Sequence, residues 1–338
     1  MNWLSTYAGL FVGSWALTGL VRRYTLRRLM DVPIERSSHD RPTPRGGGIA
    51  FVSIYLVFGA ALLLIDAPQR AIWLALLGAL PIAVIGWVDD HVGLSRTLRL
   101  GVQIGSAIWA VAWLGGLSTL DTGLGTIRLG PAGSVLAVLG IVWSTNLFNF
   151  MDGIDGIAGT QTIVVAGAAG TLSVLSGSQA IAVPCFGLVA CVAGFLVWNW
   201  PPAKIFMGDV GSAPLGFIIA SLTLAGERNQ GIPLLVWTIL MGLFLVDATA
   251  TLLRRILAGE RWYEPHRSHA YQRAVQDGRS HLFVTSCALV VNLALAGVAA
   301  AALSYPHLRL AFLGGITLAL FALWWRLTVA TRFARMGS

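Results

Sequence analysis

Charged side chains are scarce in this chain, and their scarcity decides its class. Asp, Glu, Lys and Arg make up only 11% of the 338 residues, whereas 56% are hydrophobic. A soluble globular domain carries roughly twice that share of charge, so an ordinary soluble domain is excluded. Apolar stretches long enough to cross a bilayer follow one another along the chain instead. The composition therefore predicts an all-α, polytopic membrane protein.

Other absences narrow the class further. The three cysteines lie inside apolar stretches, which excludes a disulfide framework and the ligand spacing of a zinc site. No internal repeat or second soluble domain is visible, so a single integral membrane domain over residues 1–338 is expected. The first apolar stretch lacks a basic leading segment and a small-residue cleavage site, which favours a retained span over a signal peptide. Nucleic acid is not expected as a partner.

About eleven apolar stretches have the length of a membrane span. They lie at 3–21, 47–65, 71–88, 100–117, 133–149, 160–177, 179–198, 210–226, 231–253, 282–303 and 308–325. No Lys or Arg precedes the first span and four Arg follow it closely. The positive-inside rule therefore predicts an amino terminus outside and a carboxyl terminus in the cytoplasm. The only basic residues then expected outside are Arg70, Arg128, Arg228 and Arg309.

This orientation puts five polar loops on the cytoplasmic side, at about 22–46, 89–99, 150–159, 199–209 and 254–281. Acids are costly at membrane depth and tend to mark chemistry there. A transporter is the first alternative, but it predicts acids in the middle of spans. Nearly every acid here lies at the cytoplasmic edge instead, which favours an enzyme site on that face.

The first loop combines prolines, glycines and basic residues. Its run from Pro42 to Gly48 reads PTPRGGG, which bars a regular helix and would let backbone N–H groups approach an anion. Four side chains add donors suited to phosphate: Arg36, His39, Arg41 and Arg45. A basic loop that only meets acidic lipid head groups is the alternative interpretation.

Three further loops place acids at the ends of spans. Asp89 and Asp90 are adjacent and point in different directions, so one is expected to face a cation and the other a neighbouring base. Asp209 opens a span between glycines, as a metal ligand or as an N-cap. The segment NLFNFMDGIDGIAG spaces four polar residues at intervals of three: Asn146, Asn149, Asp152 and Asp155. As a helix or as a loop, it would direct them inward.

The last loop is cationic. It places His266, Arg267, His269 and Arg273 within eight residues. Because no third ligand stands beside the two histidines, a clamp on phosphate is favoured over a zinc site. Asp247, the one acid inside a span, is interpreted as structural or supporting. His91, His281 and His307 are interpreted as interfacial.

Together these loops resemble the polyprenyl-phosphate N-acetylhexosamine-1-phosphate transferase family. The matching pieces are RSSHDRPTPRGGG, the Asp89-Asp90 pair, NLFNFMDGIDGIAG, FMGDVGS and PHRSHAYQR. The resemblance implies transfer of a sugar-1-phosphate, that of an N-acetylhexosamine, from a UDP-sugar to undecaprenyl phosphate, with UMP released. It also implies a bacterial inner-membrane location, an active site facing the cytoplasm, and contact with membrane lipid. The family suggests a homodimer.

The resemblance further implies the cofactor and the site residues. The cofactor would be Mg²⁺, with Mn²⁺ as a substitute, and Asp209 would be its principal ligand and Asp90 a second. Asp89 and Asp90 would be catalytic. Asp152, Asp155, Asn149 and Asn199 would surround the nucleotide, and His266, Arg267 and His269 would hold the diphosphate. The other substrate-binding candidates are Arg45, Asn146, Lys204 and Arg273.

The last loop departs from part of the family. Muramoyl-pentapeptide enzymes have consecutive histidines and the common-antigen type has His-x-His, whereas this chain has His-x-x-His within HRSHAYQ. That form looks like members that start O-antigen or related surface-glycan synthesis, and it disfavours a muramoyl-pentapeptide donor. A CDP-alcohol phosphatidyltransferase is the remaining alternative. It would need DG-x2-AR, and DGIDGIAG lacks the arginine.

Overall fold

The computed structural model describes residues 2–33, 41–65, 69–229, 231–261 and 266–330. Its helices are α1 (Trp3–Arg28), α2 (Gly48–Leu64), α3 (Arg70–Leu76), α4 (Ala79–Val92), α5 (Arg96–Leu114), α6 (Gly130–Met151), α7 (Ile157–Leu175), α8 (Ala182–Asn199), α9 (Asp209–Arg228), α10 (Leu234–Leu240), α11 (Gly242–Leu257), α12 (Ala270–Gln276), α13 (His281–Ser304) and α14 (Arg309–Trp325). A 3₁₀ turn (Pro306–Leu308) precedes α14, and a π-helical turn (Arg326–Ala330) follows it.

Two small antiparallel hairpins complete the described secondary structure. Strand β1 (Met30–Asp31) pairs with β2 (Thr43–Pro44), and β3 (Thr119–Asp121) pairs with β4 (Thr126–Arg128). Leu120 lies opposite Ile127 in the second hairpin.

The helices have the length and apolarity of a polytopic membrane protein. Within the described ranges, nine are able to cross a membrane when α3 and α4 are taken together. The pair α10 and α11, bent by 79°, would be a tenth, and α2 is shorter at 17 residues. The all-α, polytopic prediction is confirmed. The predicted number of about eleven is reached only when α2 and the bent pair are both included, and the membrane orientation stays a prediction.

Helix α9 lies at the centre of the bundle. Of its most apolar 18 residues, 83% are buried, against 11% for α1. It packs on α2, α4 and α6. At the contact with α2, a Cβ added to Gly48 would overlap the backbone of Gly211, and such glycine contacts allow membrane helices to approach closely. The first residue of α9, Asp209, is thereby held in the middle of one end of the bundle.

The two ends of the bundle carry different residues. Helices α4 and α6 end where α9 begins, so Asp90, Asp152 and Asp209 meet there; we call this the acidic end. The other end, called the opposite end, holds the β3–β4 hairpin. The four arginines predicted to lie on the outer side of the membrane are all at the opposite end. Arg70 begins α3, Arg309 begins α14, Arg128 lies in β4 and Arg228 ends α9.

The glycine run of the first loop serves packing. The N–H groups of Gly47 and Gly48 donate to the carbonyls of Phe206 and Met207, at 2.9 and 2.8 Å. The Phe206 N–H donates in turn to the Pro44 carbonyl at 2.8 Å. The prediction that these glycine N–H groups face an anion is therefore wrong for Gly47 and Gly48, because protein carbonyls already accept from them. Arg36 and His39, two of the predicted donors, lie outside the described residues.

Candidate active site

Arg99 links two carboxylates at the acidic end. Its Nη1 atom lies 2.6 Å from Asp89 Oδ2 and 2.8 Å from Asp209 Oδ2. Asp89 is held from its other oxygen by the Leu94 N–H at 2.5 Å. One guanidinium nitrogen therefore lies between carboxylates from α4 and α9, at a position where a cation is stabilised by both.

Asp90 serves a different purpose from its neighbour. Its two carboxylate oxygens accept from the backbone N–H groups of Asp209 and Val210, each at 3.3 Å. Those are the first N–H groups of α9, which have no partner within the helix, so Asp90 caps α9 from α4. The preceding residue, Gly208, has φ +76°, and a Cβ there would come within 2.5 Å of Asp90 Oδ2. Only glycine fits this approach.

Arg45 completes the surroundings of Asp90. Its Nη2 donates to the Asp90 carbonyl at 2.9 Å, and its Nε lies 3.5 Å from Asp90 Oδ1. The structure thus brings the predicted residues Arg45 and Asp90 together. With two backbone donors and one cation on its carboxylate, Asp90 is engaged in holding the helix, and its predicted metal ligation stays a prediction.

Two asparagines of α6 reach neighbouring helices. Asn149 Nδ2 donates to Asp209 Oδ1 at 2.8 Å and to Ser212 Oγ at 3.0 Å. Asn146 Nδ2 donates to Gln103 Oε1 of α5 at 2.7 Å. The predicted polar stripe is therefore real on the helical part of the segment, and Asn149 joins it directly to Asp209.

Asp152 is the carboxylate with free oxygens. It follows the last residue of α6, and within the part of the chain that the structure describes no hydrogen bond or ion pair reaches its side chain. Burial raises the pKa of the Asp152 carboxyl well above its usual value, and the charges of Asp209, Asp90 and Asp155 raise it further. A bound cation beside it would relieve that repulsion.

Asp155 and Asn199 fasten the loops together. Asp155 Oδ2 accepts from the Ala203 N–H at 2.9 Å, and its Oδ1 lies 3.2 Å from His281 Nδ1. Asn199 is buried, accepts from the Gly156 N–H at 3.0 Å and donates to the Ile205 carbonyl at 2.9 Å. Both side chains connect the loop after α6 to the loop after α8. Their predicted contact with a nucleotide stays a prediction, and His281, interpreted as merely interfacial, is in fact a partner of Asp155.

Asp247 organises the cationic loop from inside α11. Its carboxylate oxygens both accept from the Ala270 N–H at 3.0 Å, which caps α12, and its Oδ1 lies 3.4 Å from His269 Nδ1. Thr251 donates to the same oxygen at 3.1 Å. Asp247 thus orients His269, which agrees with the supporting role predicted for it.

His266 lies beside His269 with ring centres 5.0 Å apart. Its Nδ1 is 2.8 Å from Ser268 Oγ. Desolvation, followed by the neighbouring His269, Arg255 and Arg254, lowers the pKa of His266 to about 4. His266 is therefore neutral at pH 7 until an anion arrives, and a bound diphosphate would favour its protonation.

Tyr271 joins the cationic loop to the acidic end. Its ring stacks on His269, with centres 5.9 Å apart, and its hydroxyl donates to the Phe150 carbonyl at 3.0 Å. Burial, followed by the charges of Asp247 and Asp152, raises the pKa of Tyr271 well above its usual value, so the hydroxyl keeps its proton. The histidines are in this way held next to the loop that carries Asp152.

The remaining basic candidates lie around this core. Gln276 donates to the Arg267 carbonyl at 2.9 Å and accepts from Arg273 at 3.2 Å, so both arginines belong to the cationic loop. Lys204 is exposed, and its ammonium lies 5.7 Å from the centre of the Trp198 ring. Its described contacts are with the α1–α8 side of the bundle rather than with the carboxylates.

A divalent cation fits the donor set of the acidic end. Among the described residues no three His, Cys, Asp or Glu side chains converge tightly enough to hold a metal alone. Mg²⁺ in proteins is commonly held by one or two carboxylates, with substrate phosphates and waters as the other ligands. Asp209 and Asp89, which already share one cationic nitrogen, and the unpartnered Asp152 supply oxygens of that kind.

Several residues of this site were missed in the sequence. Arg99 resembled any basic residue of a positive-inside loop, Tyr271 any aromatic residue at a helix start, and Gln103 and Ser212 any small polar group in a span. Spacing could have found Ser212, which lies three residues after Asp209 on the same helix face. The pairing of Arg99 with Asp209, 110 residues apart in sequence, leaves no such local signal.

Comparison with known proteins finds a matching family model and similar enzymes. A family model described as glycosyl transferase family 4 matches residues 72–227. The chain is 32% identical to a probable undecaprenyl-phosphate N-acetylglucosaminyl 1-phosphate transferase of Bacillus subtilis, over 78% of this chain and 75% of the relative. It is 30% identical to an undecaprenyl-phosphate alpha-N-acetylglucosaminyl 1-phosphate transferase of Yersinia pestis, over 93% and 87%.

A third relative has a different substrate in its name. It is a phospho-N-acetylmuramoyl-pentapeptide-transferase of Gluconacetobacter diazotrophicus, 30% identical over 63% of this chain and 65% of the relative. By their names, the three relatives share phosphosugar transfer, and the third differs from the other two in the sugar.

Proposed function

The chain belongs to glycosyl transferase family 4, the polyprenyl-phosphate N-acetylhexosamine-1-phosphate transferases, and from this we propose a specific reaction. The enzyme transfers a sugar-1-phosphate from a UDP-sugar to undecaprenyl phosphate. An oxygen of the lipid phosphate bonds to the β-phosphorus of the UDP-sugar, the bond from that phosphorus to the bridging oxygen breaks, and UMP leaves with the electron pair. The products are undecaprenyl-diphospho-sugar and UMP.

The observation that carries this proposal is the meeting of two oppositely charged groups of residues. The carboxylates of Asp89, Asp209 and Asp152 lie at one end of the bundle, and Tyr271 fixes the loop of His266 and His269 beside them. Attacker, electrophile and leaving group in the reaction are all anions, so its barrier is largely electrostatic. Cationic groups on one side and metal-binding carboxylates on the other would lower that barrier by stabilising the negative charge of the transition state.

Each group has its own task in this reaction. The lipid phosphate, with a second pKa of about 6, is mostly ionised at pH 7, so a general base would contribute little. We therefore assign Asp89 to charge stabilisation through Arg99. His266 and His269, with Arg267, hold the diphosphate, and Asn149 holds Asp209 in position.

Mg²⁺ is the proposed cofactor, held by Asp209 and its neighbours at the acidic end. When bound, it would neutralise charge on the phosphate oxygens of the donor. Oxygen ligands favour Mg²⁺ or Mn²⁺ over zinc. Any cation nearby would stabilise the charged form of Asp152, because its carboxylate has no counter-charge among the described residues.

We further propose a place for this reaction. The enzyme would work in the bacterial inner membrane with the acidic end toward the cytoplasm, where UDP-sugars are found. The His-x-x-His form of its cationic loop supports a first membrane step of a surface glycan of the O-antigen type. The relatives named after N-acetylglucosamine support an N-acetylhexosamine donor.

The experiment is a UMP-release assay on the purified protein with undecaprenyl phosphate, Mg²⁺ and a panel of UDP-sugars. Release that requires the lipid phosphate, with an N-acetylhexosamine donor preferred, is the expected result. A reaction lacking the lipid and one containing EDTA are the controls. No UMP from any donor would refute the reaction, and full activity in EDTA would refute the metal.

A further inference from the structure

Trp198, at the end of α8, has two cations beside its ring. The guanidinium carbon of Arg22 lies 5.9 Å from the ring centre and the Lys204 ammonium lies 5.7 Å from it. Trp15 of α1 stacks on the same ring, with centres 6.3 Å apart and planes at 27°. Two cations and two indoles therefore form one cluster between α1 and the loop that follows α8.

Hydrogen bonds to main-chain carbonyls hold this cluster in place. Arg22 Nε donates to the Lys204 carbonyl at 3.1 Å, and the Lys204 N–H donates to the Trp198 carbonyl at 2.8 Å. Trp198 Nε1 donates to the Trp15 carbonyl at 3.0 Å. These bonds fix the Arg22 side chain and the Lys204 backbone beside the Trp198 ring.

The cluster lacks a negative charge. Two like charges beside one ring repel each other, and the π faces offset that repulsion only in part. Over the ranges that the structure describes, neither Arg22 nor Lys204 has an Asp or Glu partner. The Nη groups of Arg22 and the Nζ of Lys204 have no hydrogen-bond acceptor there either, which leaves donors for an anion.

The position of the cluster indicates where that anion comes from. Trp15 is 43% exposed on α1, a helix with few buried side chains, so it faces lipid in a membrane. Trp and Tyr concentrate at the level of the lipid head groups. Arg22 lies near the end of α1 and Lys204 just beyond α8, at the acidic end. The cations therefore lie where the phosphates of one leaflet are.

We propose that Arg22 and Lys204 bind the phosphodiester of an anionic phospholipid, with Trp15 and Trp198 along its glycerol and upper acyl region. Phosphate oxygens accept well from both types of cation. This site is separate from the carboxylates and the cationic loop, and it does not depend on the proposed reaction. It also gives Lys204 a ligand other than the sugar nucleotide.

The test measures lipids bound to the purified protein by native mass spectrometry after addition of phosphatidylglycerol or phosphatidylcholine. Lys204→Gln and Arg22→Gln should each weaken phosphatidylglycerol binding about fivefold, since a basic residue near an anionic surface contributes about 1 kcal/mol. Phosphatidylcholine binding should not change. Lys204→Arg should restore the preference, because it keeps the charge.

Two control variants, each lacking one cation elsewhere, show whether the loss of any positive charge weakens lipid binding or only a loss from this cluster. Arg279→Gln removes a single cation that lies 5.4 Å from the centre of the Phe283 ring, and Arg128→Gln removes an exposed cation at the opposite end. Both should leave phosphatidylglycerol binding within twofold of wild type. An equal loss in all four glutamine variants would overturn the site, as would no loss in Lys204→Gln.

A further arm separates the lipid from free anion. Inorganic phosphate, added at increasing concentration, should displace phosphatidylglycerol only weakly, because it lacks the glycerol and acyl contacts. Displacement at concentrations equal to that of the lipid would overturn the assignment to phospholipid. Because Lys204 is exposed, Lys204→Gln is expected to fold, so the outcome does not depend on the stability of Arg22→Gln.

Discussion

At the opposite end of the bundle each described carboxylate has its own partners, whereas the carboxylates around Arg99 at the acidic end do not. Arg309 Nη1 lies 2.8 Å from Asp121 Oδ2. Glu227 accepts from the N–H groups of Asp121 and Leu234, at 2.7 and 2.6 Å. At the acidic end Arg99 has to serve two carboxylates, and Asp152 has no partner among the described residues. Carboxylates that only hold the fold are satisfied within the protein, whereas those without a partner of their own are available to a ligand.

The comparison also separates structural acids from chemical ones. Three acids each accept from an N–H group at the start of a neighbouring helix. Asp90 caps α9, Asp247 caps α12 and Glu227 caps α10. Inside a membrane such N–H groups have no water to bond, so a carboxylate there stabilises the helix start. A buried acid in a span is therefore not by itself a sign of catalysis.

The largest effect should come from Asp209→Asn. Loss of the carboxylate shared by Arg99 and Asn149 should lower the rate of UMP release by about a thousandfold or more, because charge stabilisation dominates this reaction. The variant should still insert and show the helical circular dichroism of wild type. Asp121→Asn, its counterpart at the opposite end, should keep the rate within about threefold. Full activity in Asp209→Asn would refute the metal assignment.

Asp152→Asn should lower the rate and raise the stability together. Asparagine removes a carboxylate that its neighbours repel, so the melting temperature should rise while UMP release falls about a hundredfold. The folded-state pKa of Asp152 is raised, so its charge costs stability only at higher pH. The gain from Asp152→Asn should therefore be full above that raised pKa and disappear as the pH falls toward the unfolded value near 4. A gain that does not change with pH would contradict this explanation.

Arg309→Met should destabilise the protein without affecting the chemistry. Arg309 is 2% exposed, and its loss leaves Asp121 without its cation. We expect about 2 kcal/mol of lost stability, less than for a fully buried pair because solvent reaches Asp121. The rate per folded molecule should stay near wild type. A loss of rate larger than tenfold would show that the two ends are coupled.

The pH dependence of that pair should be opposite in sign to that of Asp152. Partial burial raises the pKa of Asp121, but the hydrogen bonds from Arg309 and Gly123 outweigh this and hold it below its usual value. Its contribution is present above the unfolded pKa and is lost as the pH falls through the folded one. Melting curves of wild type and Asp121→Asn should therefore converge at low pH.

Tyr271→Phe should give the smallest effect. It removes the hydroxyl that donates to the Phe150 carbonyl, at a cost of about 1 kcal/mol in stability. If this bond positions the cationic loop, the KM for the UDP-sugar should rise severalfold. Tyr305→Phe, on an exposed tyrosine, is the control. An unchanged KM would limit Tyr271 to a packing role.

Much of this architecture is readable in the sequence. Apolar length located the spans, and α9 and α13 each begin within one residue of the predicted stretch. The 79° bend at Met241 was not foreseen, because the apolar composition continues unbroken across it. The β3–β4 hairpin was also missed, since its strands have only three residues each and are fixed by contacts with Glu227 and Arg309 rather than by their own pattern.

The sequence predicted which residues gather at the acidic end better than it predicted what each of them contacts. Acids at span ends pointed to the end of the bundle where the structure brings Asp90, Asp152 and Asp209 together. Which acid does what depends on contacts between distant helices. Asp209 was considered as an N-cap, yet the capping carboxylate belongs to Asp90 of α4. Arg99 and Tyr271 could not be distinguished from ordinary loop residues without the fold.

Helix α9 is held by carboxylates at both ends, Asp90 at its start and Glu227 at its last turn, with close neighbours along its length. A bilayer of different thickness would tilt or stretch the peripheral helices α1 and α14, which are mostly exposed, before it moved α9. Asp209 would keep its depth in thin and thick membranes alike. Reconstitution in lipids of graded chain length should therefore leave the turnover number nearly constant.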